Sequence, residues 1–389
     1  MTDEPAPEVE HDTGQVTIAD SVIAKVANMA CREVAGVHTL GGATSRALSS
    51  LRGGPLGGPW SRPLFVLAAC VSLATSWLLV SRLERVGERL GLSEALLGML
   101  AALAADAPEI TAAITALVNR EQRVGAGVVL GSNVFNLAAL LGLGALVAGT
   151  IRFRRRVVIL AGLLALWIAA ACLVTVLGVI PPGAGLALAG VALLGYVALL
   201  GADHRVLRRL AVHHGWAHWL RAAVVEEERD LESAIRVPRA GRGDLLAAVI
   251  SLVVVVAASV TMERTASDLG GRWRVPEIVI GGLVLAAVTS LPNAVAAVYL
   301  ALRGRGAAVL SIALNSNALN VVVGLLLPGA VVGLGGASSL TVGVAAWYLG
   351  LTAVTLAIAH RQGGLRRPAG ALVVAAYAVF VVWLLVATV

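Results

Sequence analysis

Lysine, cysteine and charged residues of any kind are scarce in this chain. Only 14% of the 389 residues are charged and 58% are hydrophobic, with a mean hydropathy of +0.87. Lys25 is the only lysine, so the net charge of +7 comes almost wholly from arginine. Long apolar runs recur from about residue 63 onward, which is typical of a polytopic protein of the lipid bilayer. Because the arginines cluster in short loops, they report membrane orientation, and no nucleic acid partner is expected.

The cysteine and histidine patterns exclude several function classes. Cys31, Cys70 and Cys172 are far apart and two of them lie in apolar runs, so they indicate neither a disulfide framework nor a metal motif. No Ser/His/Asp or Cys/His set and no phosphate-binding glycine loop falls in a plausible site, so we expect neither an enzyme nor a cofactor. The first 60 residues are polar and mixed, and we expect no cleavable signal peptide there.

The most informative feature is an internal repeat. The stretch Ala104–Asn136 reappears 184 positions later as Val288–Asn320. The first copy contains ADAPE and GSNVFN, and the second contains TSLPN and NSNALN. The ungapped offset pairs Pro108 with Pro292. Duplicated halves with proline-interrupted apolar segments are typical of a secondary transporter whose site lies between the repeats.

The apolar runs predict an all-α membrane protein with ten transmembrane helices, arranged as two inverted five-helix repeats. An odd number of spans per half makes the second half enter the membrane in the opposite sense. The predicted spans are 64–82, 90–118, 124–149, 157–179, 183–201, 244–262, 275–302, 307–333, 338–359 and 369–388. The predicted divisions are an N-terminal extension (1–60), a first repeat (61–201), an interrepeat loop (202–243) and a second repeat (244–389).

Arginine placement predicts the orientation. Most arginines fall in one set of alternate loops, which includes the interrepeat loop, so this loop is predicted to be cytoplasmic in a multi-pass protein of the cell membrane. Both chain ends would then lie on the opposite face. The interrepeat segment HHGWAH (213–218) could suggest a metal site, but tryptophans and a charged run nearby favour an interfacial amphipathic helix.

Two carboxylates stand near the centre of the second predicted span. Asp106 and Glu109 flank Pro108 in an otherwise apolar run. An ionisable group at that depth costs about 3 kcal/mol and normally faces a cavity or a partner. Pro108 removes one backbone N–H, so the helix should break there and aim freed carbonyls near Ala104 at the carboxylates. The alternative is a carboxyl group that stays protonated and only accepts or donates hydrogen bonds.

Neutral polar side chains recur in both repeats and complete an oxygen-rich set without imidazole or thiolate. Such a set suits hard cations, namely Ca²⁺ or Na⁺, rather than zinc or copper. Each Ser or Asn taken singly could instead make an interhelical hydrogen bond. The candidate ion-binding residues are Asp106, Glu109, Ser132, Asn136, Thr289, Ser290, Asn293, Ser316 and Asn320. The candidate metal ligands among them are Asp106, Glu109, Asn136, Asn293 and Asn320.

The two repeats resemble the alpha repeats of the sodium/calcium exchanger family, within the cation/calcium antiporter superfamily. GSNVFN (131–136) matches the family motif closely, and TSLPN (289–293) matches except at its last position. The resemblance implies a secondary antiporter that exchanges Ca²⁺ for Na⁺, or for H⁺, by alternating access at a midplane site. It implies that Glu109 and Asn293 occupy the places of two central glutamates, and Asn136 and Asn320 those of the following Asn or Asp. The Na⁺-ligating hydroxyl places would fall to Ser132, Thr289, Ser290 and Ser316.

Departures from the family pattern keep the ion pair open. The second repeat has Asn293 where an acid is usual, and Asp106 stands where the family has serine. Two charges could neutralise one Ca²⁺, but binding of three Na⁺ in exchange becomes harder. An H⁺-coupled or other-cation antiporter and a transport-inactive membrane anchor therefore remain alternatives. Residues 14–42 resemble the opening of the alkaline shock protein family, and the sequence indicates no oligomeric state.

Overall fold

The computed structural model describes residues 61–90, 94–201, 215–232 and 243–388. The N-terminal extension, with its segment resembling alkaline shock proteins, lies outside the described residues, as do His213 and His214 of the HHGWAH segment. The described chain consists of helices that pack side by side and of one short two-stranded ladder.

The first repeat contributes five spans. The first is α1 (Ser61–Arg89), and the second is divided into α2 (Glu94–Ala105) and α3 (Ala107–Val118). The third runs through α4 (Gln122–Asn136), a π-helical turn (Leu137–Leu143) and α5 (Gly144–Ala148). After β1 (Thr150–Arg152) come the fourth and fifth spans, α6 (Arg155–Val176) and α7 (Pro182–Leu200).

The second repeat follows the same order after α8 (Gly215–Glu232), which lies in the interrepeat loop. The sixth span is α9 (Asp244–Trp273). The seventh comprises α10 (Glu277–Val279), a π-helical turn (Ile280–Leu285), α11 (Ala286–Thr289) and α12 (Leu291–Leu302). The eighth comprises α13 (Gly306–Leu319), a π-helical turn (Asn320–Leu326) and α14 (Leu327–Val332). The ninth is α15 (Ser339–Gln362), and β2 (Gly364–Arg366) and the tenth span, α16 (Arg367–Ala387), complete the repeat.

Eight spans in the described chain are continuous helical stretches that are long and apolar enough to cross a membrane. The second and seventh spans are bent by 54° and 47° at their breaks, and counting each bent pair once gives ten spans. The prediction of ten helices in two inverted five-helix repeats is therefore confirmed. The largest boundary difference is in α9, which continues eleven residues beyond its predicted end near 262. These residues are more polar than a lipid-facing run, but Glu263, Thr265 and Ala266 are buried against the protein.

The third and eighth spans form the centre of the bundle. Their most apolar stretches are 94% and 89% buried, against 28% and 33% for the first and sixth spans, which lie at the periphery. Glycines allow the central helices to approach closely. A Cβ atom on Gly127 of α4 would lie 2.9 Å from the backbone nitrogen of Gly282 in the neighbouring π-helical turn.

The peripheral helices α1 and α9 pack against each other in antiparallel orientation. Contacts at both ends and in the middle join them, so they are suited to move as one unit. These contacts are an ion pair of Arg82 with Asp244 at 2.6 Å, a hydrogen bond between the hydroxyls of Ser72 and Ser259 at 3.0 Å, and a cation–π contact of Arg62 over Trp273 at 5.0 Å.

Arginine-bearing loops gather on one face of the bundle. Strands β1 and β2 pair antiparallel with Ile151 opposite Leu365, and they tie the two repeats together there. Helix α8 packs on this side against α2, α6 and α13, with an ion pair of 2.8 Å between Arg156 and Glu226. We call this side, which carries β1, β2 and the α12–α13 turn, the arginine-rich face. The opposite face carries the α3–α4 turn and the end of α9.

Candidate functional site

The break in the second span follows from proline. Pro108 has no N–H, so the carbonyl of Ala104 loses the donor that a continuous helix would supply. The hydroxyl of Ser76, on α1, donates instead to the carbonyls of Ala104 at 3.3 Å and Ala105 at 3.4 Å. The predicted break is confirmed. The expectation that these carbonyls would be free beside the carboxylates is wrong, because α1 packs against the break and takes them up.

The side chains of Asp106 and Glu109 are fully buried at this break. Glu109 accepts hydrogen bonds from the hydroxyl of Ser290 and from the amide nitrogen of Asn320, both at 2.5 Å. Asp106 accepts one from the amide nitrogen of Asn293 at 2.7 Å. All three donors come from the second repeat. In the described part of the chain no arginine, lysine or histidine forms an ion pair with either carboxylate.

Two of these hydrogen bonds are copies of one contact. The offset of the internal repeat pairs Asp106 with Ser290 and Glu109 with Asn293. The contact between Asp106 and Asn293 is thus the repeat-related counterpart of the contact between Ser290 and Glu109. Each contact joins one acid to one neutral side chain, and the acid stands at a different position of the motif in each. The charge of the site therefore comes from the first repeat alone, while the scaffold around it is two-fold.

A set of four asparagines joins the third and eighth spans. The amide nitrogen of Asn133 donates to the backbone carbonyl of Asn317, and that of Asn317 donates to the carbonyl of Asn133, each at 3.1 Å. Asn136 donates to the side-chain oxygen of Asn317 at 3.1 Å, and Asn320 donates to that of Asn133 at 3.3 Å. Asn133 and Asn317 were not among the predicted ion ligands. Their recurrence in both motifs is the sequence signal for this role as interhelical links.

Four oxygens at this centre are buried and have no hydrogen-bond partner. They are Asp106 Oδ2, Asn136 Oδ1, Ser316 Oγ and Asn320 Oδ1. Buried polar atoms normally have partners, so a group of unpartnered oxygens indicates something that the protein atoms do not supply. The asparagine nitrogens are already engaged in hydrogen bonds, which leaves the amide oxygens turned to accept. Such oxygens could hold a hard cation.

The predicted hydroxyl residues divide into two groups. Ser290 contacts Glu109 directly, and Ser316 lies beside Asp106. Ser132 lies beside Glu109, although its hydroxyl donates to the carbonyl of Val129 in its own helix at 3.0 Å. Thr289 is buried, but its hydroxyl donates to the carbonyl of Leu285 in its own helix at 2.8 Å. No contact in the described residues links the Thr289 side chain to the carboxylates. All nine predicted ion-binding side chains are at most 1% exposed.

The helices change form where the candidate amide ligands lie. A π-helical turn begins immediately after Asn136 in the third span, and another begins at Asn320 in the eighth. Such turns add a residue to the helical turn and are frequent at functional sites. They were not predicted from the sequence, because the run after each asparagine is uniformly apolar.

A cavity of about 980 Å³ lies beside the site and reaches it at Asn293. Its walls come from α1, α2, α12 and α13, and it extends from Glu84 and Tyr299 to Asn293 at the break of the seventh span. On the opposite face α9 packs closely against α3, with Met262 and Ala266 buried between them. The cavity therefore lies between α1 and α12, and Glu84 is its lining residue toward the arginine-rich face.

Acidic side chains alone do not form a metal site in the described part of the chain. Among the described residues no three His, Cys, Asp or Glu side chains converge on one point. A cation at the break would need amide and hydroxyl oxygens beside the two carboxylates, and these are the groups that surround them.

Comparison with known proteins gives consistent matches. The family model described as "Sodium/calcium exchanger protein" matches residues 60–202 and 244–386. The curated relative "Putative antiporter CaxA" of Alkalimonas amylolytica is 33% identical over 84 residues, which cover 21% of this chain and 26% of the relative. That match therefore spans about a quarter of the relative's length.

Two kinds of solved structure share the fold. The sodium-calcium exchanger NCX_Mj, soaked with zero Na⁺ and Ca²⁺, is 18% identical with a TM-score of 0.50, covering 83% of this chain and 98% of its own. The H⁺/Ca²⁺ exchanger CAX is 13% identical with a TM-score of 0.59, covering 86% of this chain and 83% of its own. At these identities the likeness establishes the fold. The resemblance stated from the sequence motifs is confirmed by the family match.

Proposed function

The chain belongs to the sodium/calcium exchanger family, and we propose that it is a secondary antiporter of the cell membrane that exchanges Ca²⁺ for Na⁺ by alternating access. The transported cations are its substrates, and no cofactor is required. The observation that carries the proposal is the group of four unpartnered oxygens, one of them on Asp106, at the centre that holds the two fully buried carboxylates.

The donor set fits one calcium ion by number and charge. Ca²⁺ takes six to eight oxygen ligands, from carboxylates, amide oxygens, hydroxyls and water. Asp106 and Glu109 would supply two negative charges, which equal the charge of one Ca²⁺. Asn136, Asn293 and Asn320 would complete the shell, with hydroxyls of Ser132, Ser290 and Ser316 nearby, and Thr289 as the remaining candidate.

Exchange follows from the cost of an empty site. Two ionised carboxylates without a counter-charge are expensive at this depth of a membrane protein. The empty site therefore cannot readily pass between the two faces, whereas the occupied site can. Na⁺ would compete with Ca²⁺ for the same oxygens, and return of the site would require that counter-ion.

The cavity and the helix pair support alternating access. We propose that the cavity, which reaches Asn293 and extends toward Glu84, gives access from the arginine-rich face, that this face is cytoplasmic, and that the packing of α9 against α3 restricts access from the opposite face. Helices α1 and α9 occupy corresponding places in the two repeats and are joined along their length. A sliding or rocking motion of this pair would close the gap between α1 and α12 and open the one between α9 and α3.

The placement of charge favours one alternative. Asn293 and Asn320 leave the second repeat without a central acid, so three Na⁺ would have to share two carboxylates. An H⁺-coupled or other-cation antiporter on the same scaffold is therefore the second candidate. A transport-inactive membrane anchor is the third possibility, and it predicts no flux at all.

Counterflow of radioactive calcium in liposomes tests the proposal. The wild-type chain should accumulate Ca²⁺ against an imposed Na⁺ gradient, and Glu109→Ala should abolish this flux. Asp268→Asn, which also removes one acid but lies away from the site in α9, serves as the matched control. Flux driven by an H⁺ gradient and not by Na⁺ would select the second candidate. Wild-type flux in Glu109→Ala would refute the central site.

A further inference from the structure

A second pair of acids lies toward the face opposite the arginine-rich face, away from the central site. Glu263 of α9 has a fully buried side chain although it carries a carboxylate, and its Oε2 atom has no hydrogen-bond partner. The hydroxyl of Ser267, one turn further along α9, donates to Glu121 Oε2 at 2.6 Å and lies 3.4 Å from Glu263 Oε1. Glu121 belongs to the α3–α4 turn and is half-buried.

The hydrogen bonds within this group do not balance the negative charges of its two carboxylates. A serine hydroxyl has one hydrogen, so Ser267 can satisfy only one of the two carboxylates at a time. Arg264 is the positively charged neighbour that acts on Glu263, but within the described chain neither glutamate forms an ion pair with an arginine. Two carboxylates that share one site repel unless a cation or a proton lies between them.

We propose that Glu121, Ser267 and Glu263 form a second cation site that takes a hard divalent metal ion. Two carboxylates and a hydroxyl provide up to five oxygens for such an ion, and the unpartnered Glu263 Oε2 is among them. Water can complete the shell on the half-exposed side, at Glu121. The residue types match those expected for Ca²⁺ and exclude a soft metal, since no imidazole or thiolate takes part.

The position of this site gives it a role in closure. Glu263 and Ser267 lie on the peripheral helix α9, whereas Glu121 lies in the turn immediately before the central helix α4. A bound ion would therefore join α9 to the core on the face that the cavity does not reach. Glu121 follows Glu109 by twelve positions, most of them in α3, and twelve helical steps correspond to about 18 Å, so the ion would not share ligands with the central site. The role in closure rests on the proposed alternating access, but binding itself does not.

Calcium binding by a chain without central charges provides the test. In full-length Asp106→Asn/Glu109→Gln, equilibrium dialysis with radioactive calcium at constant pH should still detect one bound ion. Adding Glu263→Gln or Glu121→Gln should weaken this binding at least tenfold and remove the accompanying rise in melting temperature. Adding Asp268→Asn should leave both unchanged, because that residue lies on another side of the helix.

Two outcomes would overturn the proposal. The first is residual calcium binding that neither glutamine variant changes, and the second is stability that responds to pH but not to Ca²⁺, which would assign the pair to a shared proton. Gel filtration identifies variants that fail to fold, and the half-exposed Glu121→Gln is the variant least affected by such a failure. Loss of the proposed transport function is measured separately, by flux in Glu109→Ala, so the two proposals can fail independently.

Discussion

Moving the acid from position 106 to position 293 tests whether the site needs a carboxylate at this contact, whichever repeat supplies it. The two side chains touch at 2.7 Å, and their repeat-related counterparts, Ser290 and Glu109, touch at 2.5 Å. In the double variant Asp106→Ser/Asn293→Glu both contacts would consist of a serine and a glutamate. The total charge stays at two, and the acid moves only to the other member of a contacting pair.

The single variants change the charge and set the scale of the effect. Asp106→Ser leaves one carboxylate, and Asn293→Glu creates three. Two unit charges 4 Å apart interact by about 4 kcal/mol at an effective dielectric constant near 20. A loss of that size weakens affinity by about a thousandfold. We therefore expect Ca²⁺ binding to fall by two to three orders of magnitude, roughly, in Asp106→Ser, and to return to within about tenfold of wild type in the double variant.

Calcium titration of the melting temperature, combined with liposome flux, measures this double-mutant cycle. The expected result is a large favourable coupling between the two substitutions, with flux recovered in the double variant. A folded double variant that binds Ca²⁺ no better than Asp106→Ser would show that the two positions are not equivalent. Wild-type binding by Asp106→Ser itself would contradict the premise that the second charge is needed.

Three further predictions concern the scaffold around the site. Ser76→Ala should lower the melting temperature, because the Ala104 carbonyl loses its donor at a cost of about 1 kcal/mol, and an unchanged melting curve would contradict this. Asn317→Ala should cost more, about 1–3 kcal/mol in thermal unfolding, since its side chain makes two interhelical hydrogen bonds, and a loss no larger than that of Ser76→Ala would argue against the role. Gly131→Ala should abolish folded protein in gel filtration, because its Cβ would collide with a neighbouring backbone, whereas Gly195→Ala, which faces open space, should remain folded.

The sequence was sufficient for the architecture because the features that define it are local. A central proline breaks a helix wherever it stands, and Pro108 and Pro292 mark both bent spans. An ungapped repeat of polar motifs between apolar runs likewise predicted the two halves. The positions of the carboxylates inside the membrane part also follow from the sequence, since an acid in a long apolar run must face protein or a cavity.

The hydrogen-bond partners within the site were harder to predict from the sequence, because they depend on how the two repeats face each other. The sequence could not distinguish Asn133, whose amide nitrogen and oxygen both bond across the interface, from Asn136, whose nitrogen does so while its oxygen stays unpartnered. Both are asparagines of one motif, three residues apart. Likewise, the predicted end of the sixth span fell just before Glu263, since hydropathy does not register that the following turns are buried by other helices.

A two-fold scaffold also explains how both carboxylates of the site can come from one repeat. Each acid contacts a side chain of the other repeat, so an acid on either member of a contact lies at nearly the same place between the helices. The positions of the asparagine links do not depend on which member carries the charge, because they bond through amides and backbone carbonyls alone. The repeats can therefore diverge in charge while the two-fold packing persists. What the packing fixes is the places at which a carboxylate can meet a cation at the break, and in this chain two of these places carry an acid.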